Sequence, residues 1–266
     1  MTGEKNNIAI IPARMASSRF PGKPMAMICG IPMIGHVYLR VKMCPELADV
    51  YVATCDQEIV DYIESIGGKA VMTHDRHERC SDRCAEALEK IEKASGTVPE
   101  IMVMIQGDEP LVRPEMITEA VTPMIHDPEI LITNLLADLS TEAEFEDPNE
   151  VKVVVDENGN ALYFSREPIP SRKKGTARVP MQKQVCIIPF RRDFLLRYTV
   201  MKPTPLEAIE SVDMLRILEH GLKVRMVKTA YQSKAVDTAA DLVVVEKLMA
   251  RDQLFGKYGK ILNVGC

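Results

Sequence analysis

Residues 7–24 read Asn7-Ile-Ala-Ile-Ile-Pro-Ala-Arg-Met-Ala-Ser-Ser-Arg-Phe-Pro-Gly-Lys-Pro24. The start of this stretch is an apolar run typical of a buried β-strand. A loop with three cations, Arg14, Arg19 and Lys23, follows at once, and prolines and a glycine frame them. Arginine forks and a lysine point charge both bind phosphate oxygens, so the loop predicts a polyphosphate site. The alternative, a solvated basic loop, is weaker because the prolines hold the loop rigidly, as functional loops usually are held.

Downstream of this loop, short apolar runs alternate with amphipathic stretches. Such alternation is typical of an α/β fold with a doubly wound, mostly parallel sheet and helices on both faces. Sheets of this kind bind ligands beyond the carboxyl ends of their strands, where the strand order reverses. Strands are predicted at 50–54, 69–72 and 101–105, and helices at 33–43, 59–66, 81–94 and from Pro114.

The second half of the chain is less regular and richer in strands. A hairpin is predicted around Asn158-Gly159, a dipeptide that favours a tight turn. Further strands are predicted at 184–188 and 224–227, helices at 206–219 and 239–254, and a polar, basic loop at 171–179. No segment resembles a linker, so we predict a single domain over 1–266 with a β-rich extension suited to dimerisation.

Composition limits the classes of function. The chain has 33 Lys and Arg against 38 Asp and Glu, and its net charge is −5. Nucleic-acid binding needs a basic footprint, so that class is disfavoured. The longest apolar runs are strand-sized and the first residues are polar, so we expect no membrane span and a cytoplasmic location. The seven cysteines are then expected to be reduced thiols.

A carboxylate pair follows the last strand of the first half, in Gln106-Gly-Asp-Glu-Pro110. Carboxylate oxygens suit Mg²⁺, and the carboxyl end of a buried strand is where this sheet would bind a ligand. Gly-Asp also favours a plain turn, but beside a phosphate loop the metal site is the better interpretation. Asp237 precedes a predicted helix, and the residues alone favour a helix cap there over a second metal ligand.

Two further polar groups are weaker candidates. The helix after Pro205 carries charged residues about three apart: Glu207, Glu210, Asp213 and Arg216. They either reach a ligand hydroxyl, pair with each other or form a solvated face. A second group has metal-ligand residue types without the spacing of a closed zinc site: His74, His77, Cys80 and Cys84. Walker A, zincin, Gly-x-Ser-x-Gly and dinucleotide patterns are absent, so hydrolase and dinucleotide-binding functions lack support.

These segments, in this order, resemble the 3-deoxy-manno-octulosonate cytidylyltransferase family over nearly the whole chain. Besides 10–24 and 106–110, the matching stretches are Asp147-Pro-Asn-Glu-Val-Lys-Val153, Ala161-Leu-Tyr-Phe-Ser-Arg166, Pro205-Leu-Glu-Ala-Ile-Glu210, Leu215-Arg216 and Val236-Asp-Thr238. The resemblance implies the fold of the nucleotide-diphospho-sugar transferases, which commonly dimerise. It also implies the reaction, in which a hydroxyl of an acid sugar attacks the α-phosphate of CTP and pyrophosphate leaves.

The resemblance further implies a role for each matching residue. The implied catalytic residues are Lys23, Asp108 and Asp237, of which Asp108 and Asp237 bind Mg²⁺. The implied nucleotide-binding residues are Arg14, Ser17, Arg19, Lys23, Arg83 and Gln106. The implied acceptor-binding residues are Arg166, Gln184, Glu207 and Glu210. The domain then divides into a nucleotide-binding half (1–125), an acceptor and dimerisation part (126–235) and a C-terminal metal ligand and helix (236–266).

Two segments depart from the family pattern. The family reads His-Gln-Ser-Gly-Thr-Glu-Arg where this chain has His77-Glu-Arg-Cys-Ser-Asp-Arg83. It reads His-Leu-Gly-Ile-Tyr-Gly-Tyr-Arg where this chain has Gln184-Val-Cys-Ile-Ile-Pro-Phe-Arg191. The metal and phosphate residues are retained while several on the acceptor side are not.

The expected partners are therefore CTP and a small anionic acceptor, either 3-deoxy-manno-octulosonate or a related acid sugar. A phosphonate or another carboxylate is the alternative acceptor. A transferase acting on a sugar 1-phosphate is disfavoured, because its glycine-rich loop is absent. From another class, a nucleotide-binding regulator without turnover is disfavoured, because binding alone would not need both metal carboxylates.

Overall fold

The computed structural model describes residues 6–16, 19–174, 179–260 and 266, which form two compact units. Unit 1 comprises the described residues up to Thr118 and those from Ser233 onward, and unit 2 spans Glu119–Gln232. The single domain with parts divided after 125 and 235 stays a prediction. Within the described ranges, no helix is both long and apolar enough to cross a membrane.

Unit 1 is built on a parallel sheet in which the strands follow the order β6-β1-β4-β5. All residues of β1 and β6 are buried, and α1 and α3 both contact β1. The elements up to the unit boundary are β1 (Asn7–Ala13), β2 (Met27–Ile28), β3 (Ile31–Pro32), α1 (Met33–Val41), β4 (Asp49–Thr54), α2 (Gln57–Ser65), β5 (Ala70–Met72), α3 (Cys80–Ser95), β6 (Ile101–Ile105) and α4 (Pro114–His126), in which the boundary falls. The chain moves outward from β1 on one side and returns to its other side at β6. The strand order therefore reverses between β1 and β6.

The structure confirms the α/β class and the strands and helices predicted for the first half, with ends that agree within two residues. The β2–β3 hairpin and a short 3-10 helix at Lys23–Met25 were not predicted. Each spans only two or three residues, too few for a periodic pattern to be visible in the sequence.

Unit 2 contains a mixed sheet with the order β12-β7-β10-β8-β9. Strand β12 runs parallel to β7, and the other neighbours are antiparallel. Its elements are β7 (Thr133–Asp138), α5 (Glu142–Glu146), β8 (Lys152–Val155), β9 (Ala161–Ser165), β10 (Gln182–Val185), β11 (Ile187–Arg191), α6 (Arg192–Thr199), α7 (Pro205–Glu210), α8 (Met214–Glu219) and β12 (Arg225–Lys228). The predicted hairpin is confirmed, since β8 and β9 pair across a turn in which Gly159 has a φ of 77°.

Two predicted elements of the second half prove to be divided, a third was predicted too long, and three elements of unit 2 were missed. The helix at 206–219 is two helices, because Ser211 has a φ of 52° and the left-handed conformation cannot continue a right-handed helix. The strand at 184–188 divides into the end of β10 and the start of β11. The helix at 239–254 ends at Met249, and a separate helix follows. Strand β7 and helices α5 and α6 were not predicted, and residues 175–178 of the predicted loop lie outside the described ranges.

The last helices, α9 (Ala239–Met249) and α10 (Phe255–Tyr258), share an apolar cluster with the β2–β3 hairpin. Next to it, the completely buried Arg40 donates a hydrogen bond to the Tyr258 hydroxyl at 2.9 Å and pairs with Asp252. His36 Nδ1 lies 2.7 Å from the same hydroxyl, and its Nε2 lies 2.8 Å from the Ile28 carbonyl oxygen. Through these hydrogen bonds, the buried polar network links the C-terminal helices to α1.

One expectation about the cysteines was wrong. The structure joins Cys29 and Cys266 in a disulfide bond, although all seven cysteines were expected to be reduced thiols. The two residues are 237 positions apart, so only the folded chain brings them together. The other cysteines keep their thiol groups: Cys44, Cys55, Cys80, Cys84 and Cys186.

Acid should destabilise the protein through His36. Burial lowers the pKa of His36 from 6.5 to about 4, despite the hydrogen bond to the Ile28 carbonyl. Above pH 6.5 the ring is neutral in both states; between 6.5 and 4 only the unfolded chain takes up a proton there. The free energy of unfolding should therefore decrease as the pH is lowered from 6.5 to 4. The total decrease should be about 3 kcal/mol, at about 1.4 kcal/mol per pKa unit.

Urea unfolding at several pH values between neutral and the lower pKa would measure this effect. His36→Gln should flatten the dependence on pH even where it lowers stability at neutral pH. Equal slopes for the parent and the variant would show that another group is responsible.

Candidate active site

A cleft of about 270 Å³ opens in unit 1 at the carboxyl ends of β1 and β6, where the strand order reverses. Most of its lining comes from the loop after β1, the residues after β6 and the segment that leads into α3, and Met33 of α1 and Arg83 of α3 also contribute. Its charged lining residues are Arg14, Arg19, Lys23, Glu78, Arg79, Arg83 and Asp108, and His77 also lines it. The lining is therefore mainly cationic, as a site for a polyphosphate requires.

The loop after β1 is closed on itself and tied to the neighbouring strand. Gly22 has a φ of 74°, which glycine adopts without strain, and its N–H donates to the Met15 carbonyl at 3.0 Å. The Met15 N–H donates to Asp56 Oδ2 at 2.8 Å. Lys23 then begins the 3-10 helix, with its side chain only 13% exposed. Asp56 was not predicted as a site residue, and its position between β4 and α2 is its only signal in the sequence.

Lys23 connects the two predicted metal carboxylates. Its Nζ lies 2.6 Å from Asp108 Oδ2 and 3.4 Å from Asp237 Oδ1. Arg19 also reaches Asp237, at 2.9 Å. The backbone holds the carboxylates together as well, because the Val236 N–H donates to the Asp108 carbonyl at 3.0 Å. The structure thus brings together residues from three distant parts of the sequence.

Gly107 permits the close approach of β6 to β1 beside this cluster. A Cβ atom at position 107 would lie 3.0 Å from the Pro12 carbonyl oxygen and 3.2 Å from Ile34 Cδ1. Both contacts are tighter than ordinary van der Waals packing. A larger residue at position 107 would therefore press on the Pro12 carbonyl, in the strand that leads into the loop carrying Lys23.

The side chains of Asp108 and Asp237 fit a divalent cation. Their oxygens converge on the ammonium group of Lys23, Asp237 also pairs with Arg19, and each aspartate side chain is about a quarter exposed. In the described part of the chain, no three or more His, Cys, Asp or Glu side chains are grouped so as to hold a metal ion. A metal held by the two aspartates would thus need oxygens from a substrate or water, which is usual for Mg²⁺.

The expectation that Asp237 caps the following helix was wrong. Thr238 is the N-cap of α9, and its hydroxyl accepts a hydrogen bond from the Asp241 N–H at 3.2 Å. Asp241 Oδ2 in turn accepts from the N–H groups of Asp237 and Thr238, at 3.2 and 2.9 Å. The cap lies one residue later than predicted, so the Asp237 carboxylate faces Lys23.

The remaining residues predicted to bind the nucleotide differ in their exposure and contacts. Arg14 is exposed and lines the cleft. Gln106 also lines it, and its Oε1 accepts a hydrogen bond from the Cys80 thiol at 3.4 Å. Ser17 lies outside the described residues. Arg83, at the inner wall, is 3% exposed and donates to Thr73 Oγ1 at 2.5 Å.

The predicted acceptor residues all lie in unit 2. Glu210 accepts hydrogen bonds from Ser165 Oγ at 2.9 Å and from the Arg166 N–H at 2.8 Å. The Arg166 guanidinium donates to the carbonyls of Glu210 and Pro148, at 2.6 and 2.8 Å. Gln184 is half-buried on β10. Arg166 thus holds the backbone around Glu210 in this structure.

Glu207 has a different environment from Glu210. It is fully buried, and its two oxygens accept from the Arg216 guanidinium at 2.7 and 2.8 Å. This pairing within the helical segment is one of the outcomes predicted for these charges, and the solvated face is ruled out for Glu207 and Arg216.

Comparison with known proteins identifies the family of this chain. Residues 8–229 match the model of a protein family described as cytidylyltransferase. The 3-deoxy-manno-octulosonate cytidylyltransferase of Geobacter metallireducens is 44% identical over 251 residues, which cover 90% of this chain and 96% of the relative. The protein of the same name from Solibacter usitatus is 41% identical, with 94% and 96% covered.

Solved structures give the same result. A CMP:2-keto-3-deoxy-manno-octonic acid synthetase in complex with CTP superposes with a TM-score of 0.85 at 38% identity, covering 92% of this chain and 98% of the other. A 4-diphosphocytidyl-2C-methyl-D-erythritol synthase from Anaerococcus prevotii has a TM-score of 0.62 at 14% identity, covering 93% and 97%, and shares the fold. The chain therefore belongs to the 3-deoxy-manno-octulosonate cytidylyltransferase family, and it is an enzyme of the nucleotidyltransferase class.

Proposed function

We propose that this enzyme transfers CMP from CTP to a hydroxyl of 3-deoxy-manno-octulosonate, or of a closely related acid sugar, with Mg²⁺ as cofactor. The observation that carries the proposal is the cluster of Lys23, Asp108 and Asp237 beside a cationic loop. The names of the relatives support CTP as the nucleotide and the acid sugar as the acceptor.

In the proposed reaction, the acceptor oxygen forms a bond to the α-phosphorus of CTP. The bond between that phosphorus and the oxygen leading to the β-phosphate breaks, and pyrophosphate leaves with the electron pair, while the hydroxyl proton is released. Arg14, Arg19 and Lys23 neutralise the triphosphate and its departing part. Such a transfer needs little covalent help from the protein, so positioning and charge neutralisation supply most of the acceleration.

Asp108 and Asp237 would hold the Mg²⁺ through their carboxylate oxygens. When bound, the ion supplies positive charge at the α-phosphate and lowers the pKa of the attacking hydroxyl. The chain's own part is to fix the two carboxylates, through the Val236–Asp108 backbone bond and the cap that precedes α9.

We propose that the acceptor-binding residues are Arg166, Gln184, Glu207 and Glu210. Glu210 is the group that accepts a hydrogen bond from a sugar hydroxyl. Arg166 would act by holding the backbone around Glu210. Glu207 would act through its ion pair with Arg216. We also propose that the enzyme is a homodimer in the cytoplasm, where CTP is available.

A specific observation favours a second candidate acceptor. The segments 77–83 and 184–191 depart from the family pattern, and residues such as Pro189 and Phe190 replace a glycine and a tyrosine. A different acid sugar, or a phosphonate or other carboxylate, is therefore the alternative substrate for the same nucleotide chemistry.

Pyrophosphate release from CTP and Mg²⁺ with 3-deoxy-manno-octulosonate tests the proposal directly, with UTP, ATP and GTP in parallel. We expect release with CTP and little with the other nucleotides. Tight CTP binding without release would move the search to other acid sugars and to phosphonates. CTP binding without release for every acceptor tried would instead favour a nucleotide-binding regulator.

A further inference from the structure

The wall of the cleft formed by His77, Glu78 and Arg79 has no regular structure of its own. It belongs to residues 73–79, which connect β5 with α3 and lie outside both elements. A connecting segment of this kind keeps a defined shape only if other residues satisfy its backbone groups. Two side chains of α3, three positions apart, do so here: Arg83 and Glu86.

Arg83 binds the acceptors of this segment. Its Nη1 donates to Thr73 Oγ1 at 2.5 Å and to the His74 carbonyl at 3.3 Å, and its Nη2 donates to the His77 carbonyl at 3.5 Å. Arg83 also lines the cleft, so it both holds this segment and forms part of the cleft surface.

Glu86 binds the donors of the same segment. Its oxygens accept from the His74 N–H at 3.2 and 3.1 Å, and Oε2 also contacts the Nε2 atom of His77. Lys90, one turn further along α3, pairs with Oε1 at 2.7 Å. The Glu86 side chain is 16% exposed and is not among the described residues that line the cleft.

These partners stabilise the negative charge of Glu86. Burial alone would raise the pKa of Glu86, but hydrogen bonds from Lys90, His77 and the His74 backbone lower it to about 2. The carboxylate is therefore ionised throughout the pH range in which an enzyme of this kind would be assayed.

We propose that Glu86 is a positioning residue of the nucleotide site: it holds residues 74–79 in the conformation in which His77, Glu78 and Arg79 receive CTP. The inference rests on the proposed function, since it takes the cleft to bind CTP. Because Glu86 acts on binding and does not touch the reacting phosphate, its loss should raise KM and leave kcat nearly unchanged.

Glu86→Gln is the sharpest variant, since glutamine keeps one acceptor for the His74 N–H and removes the negative charge that pairs with Lys90. We expect the KM and the Kd for CTP to rise about tenfold, which corresponds to 1.4 kcal/mol. The matched control is Glu89→Gln, an exposed glutamate on the same helix with the same change of charge, for which both constants should stay near the parent values.

Hydrogen exchange of the peptide spanning 73–79 gives a readout independent of CTP. It should be faster in Glu86→Gln than in the parent or in Glu89→Gln, and the melting temperature should fall because the ionised carboxylate stabilises the folded state. Unchanged exchange and CTP affinity in Glu86→Gln would overturn the inference, and so would a loss of kcat and melting temperature without a change in KM. If the parent protein fails to bind CTP, the proposed function fails, whereas the exchange data still decide whether Glu86 orders the segment.

Discussion

Asp108→Asn should lower the rate of pyrophosphate release by more than about a hundredfold, the usual cost of removing a group that stabilises developing charge in a transition state. The carboxylate lies at the end of the buried strand β6, about a quarter exposed, and faces the same point as Asp237. Asparagine keeps the size of the side chain and removes its negative charge, so the loss should reflect the metal site and not the packing.

The Mg²⁺ dependence separates this explanation from a general defect. The variant should need more Mg²⁺ for half-maximal activity, while its affinity for CTP in the presence of a chelator should equal or exceed that of the parent, because one negative charge near the triphosphate is gone. Asp61→Asn, which makes the same change on the exposed face of α2, is the matched control. Turnover close to that of the parent would exclude Asp108 as a metal ligand.

Lys23→Met should reduce kcat/KM by about a hundred- to a thousandfold, in the range found when one charge-stabilising donor is removed. Its ammonium group is held by Asp108 and Asp237 within a loop closed by the Gly22–Met15 bond, so it is positioned before the nucleotide arrives. A group that contacts the triphosphate in both the ground state and the transition state should affect KM as well as kcat.

The two variants should differ in their response to Mg²⁺. Removal of the lysine leaves both carboxylates without their shared cation, so the Mg²⁺ requirement should stay the same or decrease in Lys23→Met. Lys93→Met, on an exposed position of α3, is the control for the loss of a positive charge. An increased Mg²⁺ requirement in Lys23→Met, or a rate near that of the parent, would contradict the role assigned to Lys23.

The first half of the fold could be predicted because its signals are local. A strand run that opens into a cationic loop, and the alternation after it, lie within short windows of sequence, and the structure confirms the elements they indicate. The prediction failed where a single residue interrupts a pattern: the left-handed Ser211 divides a helix whose charge spacing reads as continuous. It failed again at Asp237, because Asp237 and Thr238 are both good caps and only the geometry decides between them.

By itself, the sequence determined the α/β class, the cationic loop and the family to which the chain belongs, since these depend on residue order and on periodicity. Only the tertiary structure decided that Lys23 bridges Asp108 and Asp237, that Glu207 is engaged by Arg216, that Cys29 meets Cys266 and that Glu86 supports the wall of the cleft. Contacts between Lys23, Asp108 and Asp237, or between Cys29 and Cys266, join positions far apart in the chain. Their distances depend on strand order and packing, which no local pattern records.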